Sequence, residues 1–195
     1  MRPEQKRKEM ALADLVLAPG SFVQRTLRQF TDKPVALAPY GVDAAFWHPP
    51  PESRRAASSI TFICAGQCSL RKGIPVLIDA WRKANLRDAV LELVGSWQQA
   101  AQRRHDLPEG VRWTGPLSAA DLRARYQAAD VDVLDDRSGR VMVPGDIDAL
   151  VESLRWFSTN RDQVAVMGLA ARAAAESCTW ARYRQAVSAA VAPIA

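Results

Sequence analysis

The sequence has few of the residues that most often carry chemistry in a protein of this size. Its 195 residues include only three cysteines and two histidines. Cys64, Cys68 and Cys178 are an odd number with no spacing typical of metal ligands, which favours reduced thiols over disulfides and predicts no metal site. His48 lies in a proline-rich stretch and His105 in a polar one. No serine or cysteine has a recognisable base nearby, so nothing indicates nucleophilic catalysis.

Two further features are missing, and each limits what the protein binds. No apolar run approaches the roughly 18 residues of a membrane-spanning helix, and residues 1–10 are polar where a signal peptide would be apolar. We therefore expect a cytoplasmic protein with at most peripheral membrane contact. The net charge is +5, yet beyond residues 2–8 the basic residues are dispersed, so we expect no nucleic-acid partner. The 48% of hydrophobic residues and 24% of charged residues are typical of a globular protein.

The first region of the chain, residues 1–51, is short and ends in a linker. The pattern predicts a charged helix, then a strand, a helix and a second strand, and finally a proline-dense stretch that can continue neither a helix nor a central strand. The first strand is predicted over Leu15–Ala18, the helix after it over Ser21–Phe30, the second strand over Pro34–Ala38 and the linker over His48–Ser53. The region is too small to bury a core of its own.

The second region, residues 52–195, alternates strands with helices. Ile60–Ala65 is a near-continuous apolar run, as expected for a strand buried on both faces. Ser118 and Asp121 form a capping box that opens a helix with Leu122, Tyr126 and Ala129 facing inward. The alternation predicts an α/β fold with a parallel sheet, followed by three helices. The other predicted strands are Val90–Val94, Val111–Thr114, Val131–Leu134 and Gly139–Val143.

A basic loop follows the first strand of this region. It runs from Gly66 to Gly73 and carries two adjacent cations, Arg71 and Lys72, just before a predicted helix. Cations and flexible backbone at a helix N-terminus beyond a parallel strand are the components of an anion site. The loop is neither a P-loop nor a Gly-x-Gly-x-x-Gly motif, and a basic surface loop without a ligand has the same composition.

Carboxylates cluster around the fourth strand of the second region. Asp130, Asp132, Asp135 and Asp136 lie close together in the sequence. A metal-binding or acid–base role is one interpretation, but such residues serve more often as turn formers and helix caps.

Several motifs occur in an order that is typical of one known family. They are residues 13–23, 39–49, 66–73, 77–81, 111–115, 126–134, 138–150 and 179–180. In this order they resemble the retaining "glycosyl transferases group 1" family, whose GT-B fold has an acceptor domain and a donor domain.

The resemblance implies transfer of a glycosyl group from a nucleotide-sugar donor to an unknown acceptor, without a further cofactor. It implies that Gly66, Gln67, Arg71, Lys72 and Gly73 bind the donor phosphates, while it assigns no catalytic residue. Residues 1–51 then correspond to a remnant of the acceptor domain plus linker. Residues 52–195 correspond to a Rossmann-like donor domain whose last helix returns to the N-terminal part.

Two departures from the family pattern bear on activity. Gln67 stands where the family commonly has arginine, so we expect weaker phosphate binding, while Lys72 is kept and Arg71 could compensate. After Leu134 a βα block of about 30 residues is missing, and with it the acidic signature that relatives use to hold the donor sugar and ribose. Most of the acceptor domain is missing as well. We therefore expect impaired activity of this chain alone, and the alternative is a non-catalytic relative that binds a phosphate-bearing ligand or a protein partner.

Overall fold

The computed structural model describes residues 3–50, 59–100, 102–132, 142–143 and 145–194. The chain divides into two compact units. Unit 1 combines residues 1–47 with residues 172–195, and unit 2 is residues 48–171. The predicted α/β class with parallel sheets flanked by helices is confirmed.

Unit 1 is built around a two-stranded parallel sheet. Strand β1 pairs with β2 in parallel, with Val16 beside Val35. Helix α2 ends three residues before the predicted Phe30, because the amide of Phe30 donates to the carbonyl oxygen of Leu27 and closes a tight turn. The elements are α1 Pro3–Leu12, β1 Val16–Ala18, α2 Ser21–Leu27, β2 Val35–Leu37, α8 Trp180–Val191 and a 3₁₀ turn Ala192–Ile194.

The last helix is joined to the segment after β2 within unit 1. The amide of Val42 donates to the carbonyl oxygen of Cys178 at 2.8 Å. Gly41 approaches the backbone that opens α8, and a Cβ at this position would lie 2.3 Å from the amide nitrogen of Trp180. Only glycine permits this approach, which places α8 against residues 40–42.

Unit 2 contains a four-stranded sheet with every strand pair parallel. The spatial order of the strands is β5-β4-β3-β6. Helix α7 starts in this unit and continues into unit 1. The elements are β3 Ile60–Ala65, α3 Ile74–Ala84, β4 Ala89–Val94, α4 Gln102–His105, β5 Val111–Gly115, α5 Ala119–Ala128, β6 Val131–Asp132, α6 Ile147–Thr159 and α7 Arg161–Ser177.

The core of unit 2 lies between the sheet and helix α3. The Phe62 ring of β3 meets the Trp81 indole of α3 edge to face, with ring centroids 5.6 Å apart. The indole nitrogen of Trp81 donates to the carbonyl oxygen of Glu109 at 3.1 Å, so its polar atom is satisfied. Helix α6 covers α3, and Arg155 of α6 donates to the carbonyl oxygen of Ala84, at the end of α3. These contacts hold the C-terminal part of α3 against β3 and α6.

Two predictions in this region need correction. Helix α5 begins at the predicted cap, where the Ser118 Oγ accepts the Asp121 amide at 3.1 Å. Leu122, Tyr126 and Ala129 are only half-buried, since Leu122 and Tyr126 are the only large apolar side chains of α5 and form a narrow stripe.

The second correction concerns the strand predicted over 139–143. Residues 139–141 lie outside the described residues, as do Val133 and Leu134 at the predicted end of β6. Val143 is exposed, and its carbonyl oxygen accepts the amide of Asp146. It therefore belongs to the turn that leads into α6 and not to a strand.

Candidate functional site

The sheet of unit 2 has a topological switch point between β3 and β6. From β3 the chain builds β4 and β5 on one side, and β6 then pairs on the other side of β3. Because all pairs are parallel, the carboxyl ends of the strands lie at one edge. Ligands of open α/β sheets bind in the crevice beyond this edge, at the switch point. The Gly66–Gly73 loop follows β3 at this place.

Backbone contacts with the turn after β4 anchor the loop. The amide of Cys68 donates to the carbonyl oxygen of Ser96 at 2.9 Å, and the carbonyl oxygen of Cys68 accepts the amide of Gln98 at 3.0 Å. A Cβ on Gly95 would lie 1.9 Å from the carbonyl oxygen of Gly66. Glycine at 95 therefore allows the two turns to touch. The Cys68 side chain is fully buried in the hydrophobic core of unit 2 and anchors the loop to it.

The five predicted site residues lie together in this loop. Gln67, Arg71 and Lys72 are exposed, and Arg71 donates from Nη2 to the Oε1 of Gln67 at 3.4 Å. Both cations belong to a 3₁₀ turn, Leu70–Lys72, that ends at Gly73. Gly73 has a φ of +69°, in the left-handed region, and α3 begins directly after it. The loop thus presents two positive charges to solvent, while phosphate binding by these residues stays a prediction.

The backbone amides of α3 contribute less to this site than the sequence predicts. The amide of Ile74 already donates to the carbonyl oxygen of Ser69 at 3.3 Å. Pro75, the next residue, has no amide hydrogen. Two amides of the first turn are therefore not free to bind an anion, and the side chains of Arg71 and Lys72 become the principal positive groups.

Five polar side chains influence one another electrostatically near the ends of β3 and β6. Burial raises the pKa of the Cys64 thiol to about 11, the Asp132 carboxylate and Cys68 add to the rise, and Lys72 opposes it. Burial also raises the pKa of Tyr126 to about 12, with Asp132 and Cys64 contributing. Both groups are neutral at pH 7. The Cys64 thiol is therefore a poor nucleophile.

Burial likewise raises the pKa of the Cys68 thiol. All three cysteines are free in the structure.

The structure gives Asp130 a role in the fold. Its Oδ2 accepts the Thr61 amide at 2.7 Å, and its own amide donates to the Thr61 carbonyl oxygen at 2.8 Å. These bonds tie the start of β6 to β3. Asp135 and Asp136 lie outside the described residues. His105 ends the short helix α4, away from the Gly66–Gly73 loop in the sequence.

An aromatic pair beside the loop was not singled out by sequence reasoning. The backbone of Trp97 pairs with that of Cys68 in an isolated parallel β-bridge. The ring centroids of Trp97 and Trp113 lie 5.9 Å apart in an edge-to-face arrangement. The Arg104 guanidinium stacks over Trp113 at 4.9 Å. The sequence does place Trp97 two residues after Gly95, just beyond the carboxyl end of β4, and this position could have indicated a residue beside the site.

A buried hydroxyl without a partner is the second feature that sequence reasoning missed. Ser69 is 8% exposed, and its Oγ has no hydrogen-bond partner among the described residues. Its backbone is extended and precedes the 3₁₀ turn, where a serine would be expected to cap. No pattern of residue types reveals that the cap bond is not formed.

This combination defines an α/β unit with a basic loop at the switch point of a parallel sheet. Residues 59–136 match the family model described as "Glycosyl transferases group 1". This match confirms the predicted resemblance to group 1 glycosyltransferases. Solved structures that are 12–19% identical, with TM-scores of 0.71–0.80, confirm the predicted GT-B fold. No curated protein matches the chain.

Solved structures with the same fold are longer than this chain. Sucrose-phosphate synthase from Thermosynechococcus elongatus is 19% identical with a TM-score of 0.79, and the match covers 95% of this chain and 60% of that one. HepE from Anabaena, solved with UDP and glucose, is 15% identical with a TM-score of 0.80, covering 99% and 68%. TarM from S. aureus, solved with UDP, fondaparinux and α-GlcNAc-glycerol, is 12% identical with a TM-score of 0.71, covering 95% and 46%. The chain thus spans about half to two thirds of their lengths.

None of the helices in the described part of the chain is both long enough and apolar enough to cross a membrane.

Proposed function

We propose that the chain binds the diphosphate of a nucleotide-sugar donor at the Gly66–Gly73 loop, as the donor-binding part of a glycosyltransferase. The observation that carries this proposal is the position of Arg71 and Lys72. Both are exposed on the loop that leaves β3 at the switch point. Charge-assisted contacts of this kind are among the strongest hydrogen bonds a protein makes to phosphate.

The similar structures support this choice of ligand. HepE was solved with UDP and glucose and also with UDP-glucose, and TarM was solved with UDP. A nucleoside diphosphate is the part common to these ligands. We therefore propose a nucleoside diphosphate sugar as the donor, with the acceptor unassigned.

In glycosyl transfer the bond between the sugar C1 and the diphosphate oxygen breaks, and a bond from the acceptor oxygen to C1 forms. The acceptor hydroxyl releases its proton to the solvent, and the diphosphate leaves with the bonding electron pair and an additional negative charge. Lys72 and Arg71 would stabilise this charge as it develops. Gln67 would hold the guanidinium of Arg71 through its Oε1 contact.

We further propose that these 195 residues turn the donor over slowly. The acidic signature by which the resembled family holds the sugar and ribose has no counterpart after Leu134. Losing two charge-assisted hydrogen bonds costs roughly 3–6 kcal/mol, or about two to four powers of ten in rate. The contacts of Arg71 and Lys72 do not replace these bonds, since they act on the diphosphate and leave the sugar and the ribose without their acidic partners.

Titration of the purified chain with UDP, UDP-glucose and inorganic pyrophosphate by calorimetry at low salt tests the binding proposal. Lys72→Ala should weaken UDP binding about tenfold, or about 1.4 kcal/mol. Lys83→Ala is the matched control. Lys83 lies in the last turn of α3 and pairs with Asp148, so its loss should leave UDP affinity unchanged. An affinity for UDP that Lys72→Ala does not alter would contradict the site.

Chromatography of UDP-glucose incubated with the chain tests the proposed slow turnover. We expect little release of UDP, with or without simple sugar or glycerol acceptors. Rapid transfer that Lys72→Ala abolishes would contradict the proposed impairment and retain the donor site.

A further inference from the structure

Residues 95–99, which we call the β4 turn, lie between the Gly66–Gly73 loop and strand β5. Gly95 opens this turn and approaches the loop so closely that a Cβ would lie 1.9 Å from the carbonyl oxygen of Gly66. Towards β5, the amide of Gly95 donates to the carbonyl oxygen of Gly115 at 2.9 Å. The carbonyl oxygen of Gly95 accepts the indole N–H of Trp113 at 2.8 Å. Contacts from both neighbouring strands therefore fix the start of the β4 turn.

The Trp113 indole is itself held in one position. Trp113 belongs to β5, which is separated from β3 and its loop by β4. The Arg104 guanidinium lies over the Trp113 ring, 4.9 Å from its centroid, and the Trp97 ring meets it edge to face. Both indoles pack against the core of unit 2. Since the nitrogen and the ring of Trp113 already contact the chain itself, this geometry favours a supporting role over direct contact with a ligand.

Trp97 continues this support to the middle of the basic loop. Its backbone pairs with that of Cys68 in the isolated parallel β-bridge. The side-chain amide of Gln99 also donates to the carbonyl oxygen of Cys68, at 3.5 Å. A series of contacts through the β4 turn therefore connects Trp113 with the loop that carries the two cations.

We propose that Trp113 is a positioning residue of the donor site, which holds the Gly66–Gly73 loop in its diphosphate-binding form through the β4 turn and does not touch the donor. This inference rests on the donor site proposed above. Hydrogen bonds depend steeply on distance and angle, so a small displacement of a binding group lowers affinity. Loss of the indole N–H removes a donor from the Gly95 carbonyl oxygen and loosens the turn, and the loop then presents its cations less precisely.

Calorimetric titration of the full chain with inorganic pyrophosphate and with UDP, at low salt, tests this role. Trp113→Phe keeps an aromatic ring and removes the N–H. We expect the dissociation constants of both ligands to rise by the same factor, about three- to tenfold, because both ligands carry a diphosphate. Trp81→Phe is the matched control, since Trp81 also donates its indole N–H to a backbone carbonyl oxygen of unit 2, that of Glu109. It should lower stability comparably and leave both affinities unchanged.

The two ligands and the control separate the possible roles of Trp113. Weaker binding of UDP with unchanged binding of pyrophosphate would show that the ring contacts the nucleoside, and would overturn the positioning role. Unchanged affinities in Trp113→Phe, or equal losses in Trp113→Phe and Trp81→Phe, would overturn it as well, since both results assign Trp113 to stability alone. A wild-type chain that binds neither ligand would contradict the donor site itself, and the positioning role with it.

Amide hydrogen exchange of the ligand-free chain measures the same connection without a nucleotide. The amide of Cys68 donates to the carbonyl oxygen of Ser96, and the amide of Gln98 donates to that of Cys68, so both bonds join the loop to the β4 turn. In Trp113→Phe these two amides should exchange several-fold faster than in the wild type, while the amides of α6 keep their protection. Unchanged exchange at Cys68 and Gln98 would overturn the proposed connection between Trp113 and the loop.

Discussion

The two units bury their apolar residues to very different extents. Unit 2 holds eighteen of the twenty-one buried apolar residues of the described chain, whereas unit 1 holds only Ala18, Val35 and Ala38. Conversely, ten of the fourteen exposed large apolar side chains lie in unit 1. Unit 2 has a sheet-and-helix core that positions a loop, whereas unit 1 buries little apolar surface and its elements are joined by a few specific contacts.

The largest expected effect is a mutation in the core of unit 2. Trp81→Ala should lower the free energy of unfolding by about 3–5 kcal/mol, because Trp81 is 3% exposed against Phe62 and leaves a large cavity. Phe22→Ala in unit 1 is the matched comparison. Phe22 is 73% exposed, so its removal should cost less than about 0.5 kcal/mol. Urea denaturation followed by circular dichroism measures both.

Similar costs for Trp81→Ala and Phe22→Ala would contradict the asymmetry between the units. It would mean that Phe22 is covered in solution by a surface that the single chain does not supply.

In unit 1 the stability should depend most on the close backbone contact between Gly41 and Trp180. Gly41→Ala places a Cβ 2.3 Å from the Trp180 amide nitrogen, so α8 must shift away from residues 40–42. We expect a loss of about 1–3 kcal/mol, seen as earlier proteolysis or faster amide exchange of α8 than of the sheet in unit 2. Gly168→Ala is the control, since nothing lies within 4 Å of its added Cβ in the exposed middle of α7. That variant should be stabilising, by up to about 1 kcal/mol.

If α8 of Gly41→Ala is protected from proteolysis and amide exchange as well as in the wild type, contacts other than the one at Gly41 hold the C-terminal helix in place.

The difference between the units also explains how far the sequence predicts the molecule. Strand β3 is predicted at its observed bounds, Ile60–Ala65, because burial on both faces leaves a continuous apolar run. The helix predicted after the basic loop is α3, in which Leu77, Ala80, Trp81 and Ala84 recur at helical spacing and are buried in the core of unit 2. The predicted strand does not reach Val143, since a local turn to Asp146 outweighs the β-propensity of an exposed valine. Local sequence patterns predict best where a core imposes them.

The candidate site was predictable in part for the same reason. The position of the Gly66–Gly73 loop follows from the parallel sheet, and the two cations are visible in the sequence. The loss of the Ile74 amide to Ser69 and the contact between Cys68 and the Trp97 turn depend on tertiary geometry. Neither contact can be predicted from residue types and their spacing.

The free energy of unfolding should fall at high pH because of two groups in unit 2, Cys64 and Tyr126. The pKa of Cys64 rises from 9.0 to about 11 on folding, chiefly through burial. The unfolded chain therefore loses this proton at lower pH than the folded chain, and stability falls as pH rises from about 9 towards 11. Tyr126, whose pKa rises from 10.0 to about 12, extends the fall to higher pH. Urea midpoints at pH 7, 9, 10 and 11 measure the effect.

Cys64→Val should flatten this pH dependence between pH 9 and 11, and Cys178→Val is the control because Cys178 is exposed in unit 1. An undiminished fall in Cys64→Val would assign the pH dependence to other groups.

The smallest expected effect lies in the Gly66–Gly73 loop, where unit 2 has a buried group that its own core does not satisfy. Ser69→Ala removes a buried Oγ that has no hydrogen-bond partner among the described residues, so it should be neutral or stabilising by up to about 1 kcal/mol. Ser118→Ala makes the same chemical change at a hydroxyl that caps α5 by accepting the Asp121 amide, and it should cost about 1 kcal/mol. Chemical denaturation of the two variants in parallel measures the difference in sign. Because the unsatisfied hydroxyl is a cost within an otherwise well-packed unit, a loss of more than about 1 kcal/mol in Ser69→Ala would show that Ser69 is paired in solution and that the loop is as fully satisfied as the sheet it follows.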